Sequence, residues 1–131
     1  MVHCVNQRAG KNSSKYILEN TQWQGIANIP SPETVILQFS KDVYTVMWNG
    51  KTIEQMNYTV QGDSITVVKT SGASPCLMLS QGTYKFTIAN DKLSLVVISD
   101  SCSQRISALG INTYTKVLPS EHAIDPIKSL Q

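Results

Sequence analysis

The chain has 131 residues, a net charge of +2 and 41% apolar residues, the size of one domain able to bury most of its apolar surface. Two arginines and nine scattered lysines make no basic footprint for nucleic acid, and no run approaches the ~18 apolar residues of a membrane-spanning helix. Its histidines, His3 and His122, sit near opposite ends, so with Cys4, Cys76 and Cys102 they offer no zinc-ligand spacing.

Residues 1–17, with the polar stretch Gly10-Lys11-Asn12-Ser13-Ser14-Lys15, are expected to form a mobile N-terminal arm. The arm has no apolar signal core, which fits a cytosolic chain or one from which a signal has been removed. A first strand is predicted at 22–29, with Trp23, Gly25, Ala27 and Ile29 on one face, ended by Pro30 and Pro32. Thr34–Ser40 follows, and a turn at Lys41-Asp42 pairs Phe39 with Tyr44, Leu37 with Val46 and Val35 with Trp48 on the returning strand Val43–Trp48.

Asn49-Gly50 is the strongest hairpin signal in the chain. It leads into Lys51–Val60, where Ile53 is expected opposite Val46. Gly62-Asp63 turns into Ser64–Lys69 and pairs Val60 with Ile65 and Tyr58 with Val67. The two turns disagree in parity: the first puts Ile53 inward, the second Met56, Tyr58 and Val60. One extra residue near Glu54-Gln55, between Ile53 and Met56, would reconcile them. After the loop Ser71–Pro75, strands at 82–88 and 92–98 meet at Asn90-Asp91, so that Ile88 faces Leu93, Phe86 faces Leu95 and Tyr84 faces Val97. A short helical turn over Ser103–Leu109 and a last strand, Ile111–Leu118, precede a C-terminal tail, 119–131, that carries Pro119 and Pro126.

Eight strands joined mostly by short turns, with no helix long enough to cover a sheet, predict an all-β, antiparallel up-and-down barrel over 18–118. Closure removes the exposed edges of such a meander. A sandwich satisfies the same alternation but needs longer crossing loops. Cys76 and Cys102 flank the 82–98 hairpin, three positions out of register when counted from its turn. A bulge near Gln81-Gly82 or the bend after Asp100 would join them in a disulfide and imply an extracytoplasmic, periplasmic or secreted location with the signal peptide outside this sequence. Two separate thiols in a cytosolic protein are the alternative.

The strand entered through Trp23, then Gly82-Thr83-Tyr84, Asp91-x-Leu93-x-Leu95 and Asp100-x-Cys102-x-x-Arg105, resembles the small bacterial lipocalin-like proteins of the calycin group. Where lipocalins carry Gly-x-Trp, this chain has Thr21-Gln22-Trp23. The resemblance implies a barrel that binds a small molecule, with Trp23 plugging one end beneath Arg105, both in structural roles.

The interior parity supplies the candidate ligand contacts: Leu37, Phe39, Tyr44, Val46, Trp48, Met56, Tyr58, Val67, Tyr84, Phe86 and Leu95. An apolar lining with a few hydroxyls suits a small hydrophobic or amphipathic ligand, and suits a solid core equally. No histidine lies in the barrel region, and Glu54 and Asp63 are expected as solvated carboxylates at or near turns. No catalytic residue, metal or cofactor is assigned. The reading is non-catalytic binding of a small hydrophobic molecule. Two alternatives stay open: an enzyme using the barrel as a reaction chamber (a cyclase or isomerase on a hydrophobic substrate), and a solid-core interaction module. The sequence does not fix the oligomeric state.

Overall fold

Asn49 and Gly50 have φ of 53° and 77°, and Asn90 and Asp91 of 54° and 61°. Such left-handed pairs form two-residue turns whose twist matches that of the flanking strands. In the computed structural model, which describes residues 17–29, 31–109 and 111–118, these turns link eight antiparallel strands into a closed barrel in sequence order. The strands are β1 (Thr21–Asn28), β2 (Pro32–Phe39), β3 (Val43–Trp48), β4 (Lys51–Gln61), β5 (Ser64–Gly72), β6 (Gln81–Ala89), β7 (Lys92–Asp100) and β8 (Ile111–Val117). One short helix, α1 (Ser103–Leu109), sits between β7 and β8 and packs against β1, β7 and β8. The N-terminal arm up to residue 16, the tail from residue 119, Cys4, His3, His122, Pro30 and Gly110 lie outside the described residues.

The pairings expected from three hairpins are present but for one: Phe39 pairs with Tyr44 and Leu37 with Val46, while the ladder stops at Ile36 and Met47, short of the expected Val35 with Trp48; Tyr58 pairs with Val67 and Val60 with Ile65, and Tyr84 with Val97, Phe86 with Leu95 and Ile88 with Leu93. Another pairing is corrected. Val46 faces Glu54, not Ile53, because Met47 pairs with Thr52 and leaves Ile53 as the extra residue of a bulge. The parity of Met56 and Tyr58 therefore continues to Glu54. A second shift lies on β5, where Gln55 pairs with Ser71 and Met56 with Lys69, leaving Thr70 between. A third lies on β7, where Thr83 pairs with Ser99 and Tyr84 with Val97, leaving Ile98 between. An inserted residue reverses the side-chain alternation beyond it. On β7 the reversal brings Asp100 onto the side already occupied by Leu93 and Leu95.

The two ends of the barrel differ. The floor, at the turns 41–42, 62–63 and 90–91, is solid. Phe39 stacks on Tyr44 with centroids 4.5 Å apart and meets Tyr58 edge-on at 5.2 Å, arrangements favoured by the ring quadrupoles. The Tyr58 hydroxyl donates to the Ser40 carbonyl at 2.6 Å, and Trp23 is 1% exposed with its Nε1 donating to Thr21 Oγ1 at 2.8 Å. Trp23 plugs this end, but Arg105 does not cover it. β7 finishes at the mouth and α1 stays there, so the cation brought to the indole is Lys116, opposite Trp23 on β8, with Nζ 6.0 Å from the ring centroid.

Closure depends on β1 meeting β8 through Gln22↔Val117, Trp23↔Lys116 and Gln24↔Thr115. Just beyond this short ladder, the fully buried ring of Tyr114 occupies the space that a Cβ on Gly25 would fill. Gly25→Val should displace that ring and destabilise by about 1–3 kcal/mol, the usual effect of overpacking. Urea denaturation measures this, and a loss of only a few tenths of a kcal/mol would show that the seam does not depend on the contact.

Candidate binding site

The mouth end is hollow. A cavity of about 650 Å³ opens between the end of β1, the Trp48 end of β3, the start of β4, the segment 73–76 and α1. Its walls are mostly apolar: Ile29, Val46, Trp48, Ile53, Met56 and Leu109 contribute, and Glu54, Ser74, Gln104 and Arg105 supply polar groups. This is the size range and chemistry of small-molecule sites. Beside it lies a niche of about 10 Å³, lined by Tyr44, Ile65, Val67, Tyr84, Leu95, Arg105 and Leu109, room for about one water-sized group. Arg105 and Leu109 belong to both walls.

Of the eleven candidate contacts, the structure places Val46, Trp48 and Met56 on the cavity and Tyr44, Val67, Tyr84 and Leu95 on the niche. Leu37, Phe39, Tyr58 and Phe86 are buried in the core and border neither. Apart from Trp48, the large aromatic residues thus fill one half of the interior and leave the other half open.

Two buried ion pairs frame the mouth. The first is built on the Asp100-x-Cys102-x-x-Arg105 segment. Arg105 Nε donates to Asp100 Oδ2 at 2.7 Å and its Nη2 to Oδ1 at 2.8 Å, a two-pronged pairing that matches the two planar groups. The Tyr84 hydroxyl donates to Oδ2 and the Cys102 amide to Oδ1, the latter at 2.8 Å. Gly82, paired with Asp100, leaves the space that the carboxylate occupies. Burial alone would raise the Asp100 pKa, but the hydrogen bonds from Arg105, Tyr84 and Cys102 outweigh it and hold the group below its ordinary 3.8. Burial and the bond to Asp100 push the Tyr84 phenol far up. Burial would lower the Arg105 value, but the Asp100 carboxylate raises it and keeps the guanidinium charged.

The second pair corrects an expectation. Glu54 is not a solvated carboxylate near a turn: it is 7% exposed, facing Lys69, which is 2% exposed, with Nζ–Oε2 3.5 Å. Lys69 Nζ also donates to Ser74 O at 2.8 Å, Ser74 Oγ at 3.1 Å and Cys76 O at 3.0 Å. Glu54 accepts from Ser74 N at 3.2 Å and Ser74 Oγ at 2.6 Å. Gly72, with φ of 136°, turns the chain where a Cβ would strike the Glu54 backbone and carboxylate, so the segment 73–76 folds over the pair and forms one wall of the cavity. Asp63 is solvated as expected, its side chain 66% exposed.

Cys76 and Cys102 form a disulfide with Cα atoms 5.5 Å apart. The bulge at Ile98 widens the register difference by one, since Gly82 pairs with Asp100; the chain between Cys76 and β6 takes it up in a turn, where Ser80 N donates to Leu77 O at 3.0 Å and Leu79 has φ of 64°. The bond ties the 73–76 wall to the start of α1, which adjoins it on the cavity rim. The sequence conceals the Lys69–Glu54 pair because a parity break expected near Glu54-Gln55 leaves the facing of Glu54 undefined. Carrying the Met56–Tyr58 parity one step further would have set two opposite charges inward on neighbouring strands. Among the described residues no group of His, Cys, Asp and Glu could hold a metal ion, and no helix is long and apolar enough to cross a membrane. No family model, curated protein or solved structure matches the chain.

Proposed function

We propose that the chain is a lipocalin-like barrel that binds a small hydrophobic or amphipathic molecule in the mouth cavity without transforming it. The observation that carries this reading is the cavity itself: about 650 Å³, mostly apolar, above a solid aromatic floor. A solid-core interaction module has no reason to keep such a volume against the packing it forfeits.

The reaction-chamber alternative draws on a buried carboxylate bonded to a tyrosine, and Asp100 with Tyr84 is such a pair. Both Asp100 oxygens are engaged by four donor groups, and Glu54 by Ser74 and Lys69. A general base needs a free lone pair aimed at substrate, so the saturation of both carboxylates favours binding. The lipocalin-like assignment rests on the barrel and on the segments quoted above. The disulfide supports an extracytoplasmic location.

Trp48 and Trp23 lie at opposite ends, one on the cavity and one in the floor. A hydrophobic fluorescence quencher that enters the cavity should therefore quench Trp48 and spare Trp23. The Trp48→Phe variant isolates the Trp23 signal. Equal quenching of both, or of neither by any hydrophobic probe, would overturn the cavity as the site. Native mass spectrometry of protein purified from its own host then shows whether a small molecule travels with it.

A further inference from the structure

We infer that the turn Leu77-Met78-Leu79 is a membrane contact, which sets the mouth end of the barrel on a lipid bilayer of no net surface charge. That the guest of the cavity then enters from the lipid rests on the binding reading above; the contact itself does not.

Leu77 is 79% exposed, Met78 58% and Leu79 71%. Among the described residues they are the one run of consecutive large apolar side chains left in water. Ile26, Val96 and Ile98 are also exposed, on β1 and β7, but no two of them are consecutive. The run lies in the connection from β5 to β6, directly after the 73–76 wall of the cavity. It is pinned from both sides. Leu79 N donates to Lys69 O at 2.9 Å and Lys69 N to Ser80 O at 3.1 Å, and the preceding Cys76 is bonded to Cys102. The positive φ of Leu79 is one that glycine or asparagine adopts at less cost than leucine. The apolar tip is thus ordered before anything covers it, and covering it sacrifices little freedom.

Charge and area indicate what covers it. Exposed charged side chains gather at the other end of the barrel, where Lys41, Asp42, Asp63, Lys85, Asp91 and Lys92 lie at or near the floor turns. Along 70–84 and 99–109, the stretches joined by the disulfide, the only charged side chains are Asp100 and Arg105, buried and paired with each other. Two more charges stand at the mouth, Lys51 and the half-buried Glu33, and they are of opposite sign. An apolar tip on an end without net charge suits a zwitterionic bilayer, where the buried apolar area supplies the attraction. Three side chains offer a few hundred Å² of apolar surface. A stable protein interface buries ~800 Å² per partner, whereas lipid needs no complementary surface.

The test exposes the full chain to vesicles of phosphatidylcholine brominated on its acyl chains, which quench an indole that enters them. Met78→Trp places a reporter at the tip, Trp48→Phe removes the cavity ring, and Trp23, 1% exposed in the floor, is a constant background. The tip indole should be quenched by brominated but not by unbrominated vesicles. Adding Leu77→Asn and Leu79→Asn should weaken this partition about tenfold or more, the order expected when two leucine side chains no longer leave water. Asparagine suits the φ of Leu79, so thermal stability should not fall. In the otherwise native chain, the two asparagine substitutions should leave the affinity for the neutral probe N-phenyl-1-naphthylamine in solution unchanged. Equal fluorescence with the two kinds of vesicle, or quenching that the asparagine substitutions do not reduce, would overturn the inference. So would a dimer of the native chain that these substitutions abolish while no vesicle quenches the reporter, which would make the turn a protein contact. Quenching by vesicles without any binding of the probe would uphold the contact and remove the cavity reading, and with it the route of entry.

Discussion

Asp100→Ala should cost about 3–5 kcal/mol of folding stability, the range for breaking a buried ion pair by removing one partner. The carboxylate side chain is 0% exposed and that of Arg105 3%, so solvent cannot replace the lost partner. Tyr84 and the Cys102 amide would lose their acceptor together with Arg105. The double variant Asp100→Ala/Arg105→Met should recover a large part of the loss, because it removes the stranded charge as well. Urea denaturation at pH 7 reads both, and a single-variant loss below about 1 kcal/mol would show that water reaches Arg105 after all. The acid limb carries a signature. Because the folded state holds Asp100 below 3.8, its linked contribution is complete above that value and is lost as pH falls through the lowered one. The gap between wild type and Asp100→Asn should therefore close on acidification below about pH 4.

Removing the disulfide should be nearly as severe. Cys76 and Cys102 are separated by 26 residues, for which the chain-entropy relation gives about 3–4 kcal/mol. In a domain of this size that lowers the melting temperature by more than about 10 °C, measurable in a Cys76→Ala/Cys102→Ala variant or by adding reductant. The loop wall 73–76 and the start of α1 would also separate, so binding should weaken under conditions where the barrel is still folded. Thiol alkylation of the denatured, non-reduced chain should modify Cys4 alone. Three modified cysteines would remove both the bond and the case for export.

The barrel was legible in the sequence because its turns are chemically explicit. Lys41-Asp42, Gly62-Asp63 and Asn90-Asp91 each announce a register that the apolar alternation beside them follows, and Asn49-Gly50 marks its turn but not the register beyond Met47. The three bulges were not legible in the same way. Ile53, Thr70 and Ile98 are ordinary strand residues, and no side-chain feature marks a residue as the surplus one. The conflict of parity around Ile53 showed that a bulge was needed but placed it one residue late, and that one step decided whether Glu54 faced water or Lys69. Asp100 has the same origin: without the slip at Ile98 it would lie on the outside. The role of Arg105 was misread for a different reason, since its sequence position fits a plug over Trp23 and only the path of β7 to the mouth rules that out. The cavity follows from where the large rings fall. Phe39, Tyr44 and Tyr58 crowd the floor through cross-strand pairing, whereas at the mouth Trp48 is the one aromatic ring on the cavity wall, beside smaller apolar groups and the buried ion pairs.

The division of the interior into a filled half and an open half separates two kinds of constraint along the same strands. Trp23, Phe39, Tyr58 and Tyr114 are packed on all sides, whereas Ile29, Val46, Trp48, Ile53 and Met56 turn one side to the cavity, and of these Val46 and Met56 also belong to the core. On the binding reading proposed above, the mouth can therefore be reshaped for a different guest without re-solving the floor. The limit on that freedom is the set of tethers around the opening, the Asp100–Arg105 pair, the Glu54–Lys69 pair and the Cys76–Cys102 bond, which act as a rigid frame into which new linings can be set.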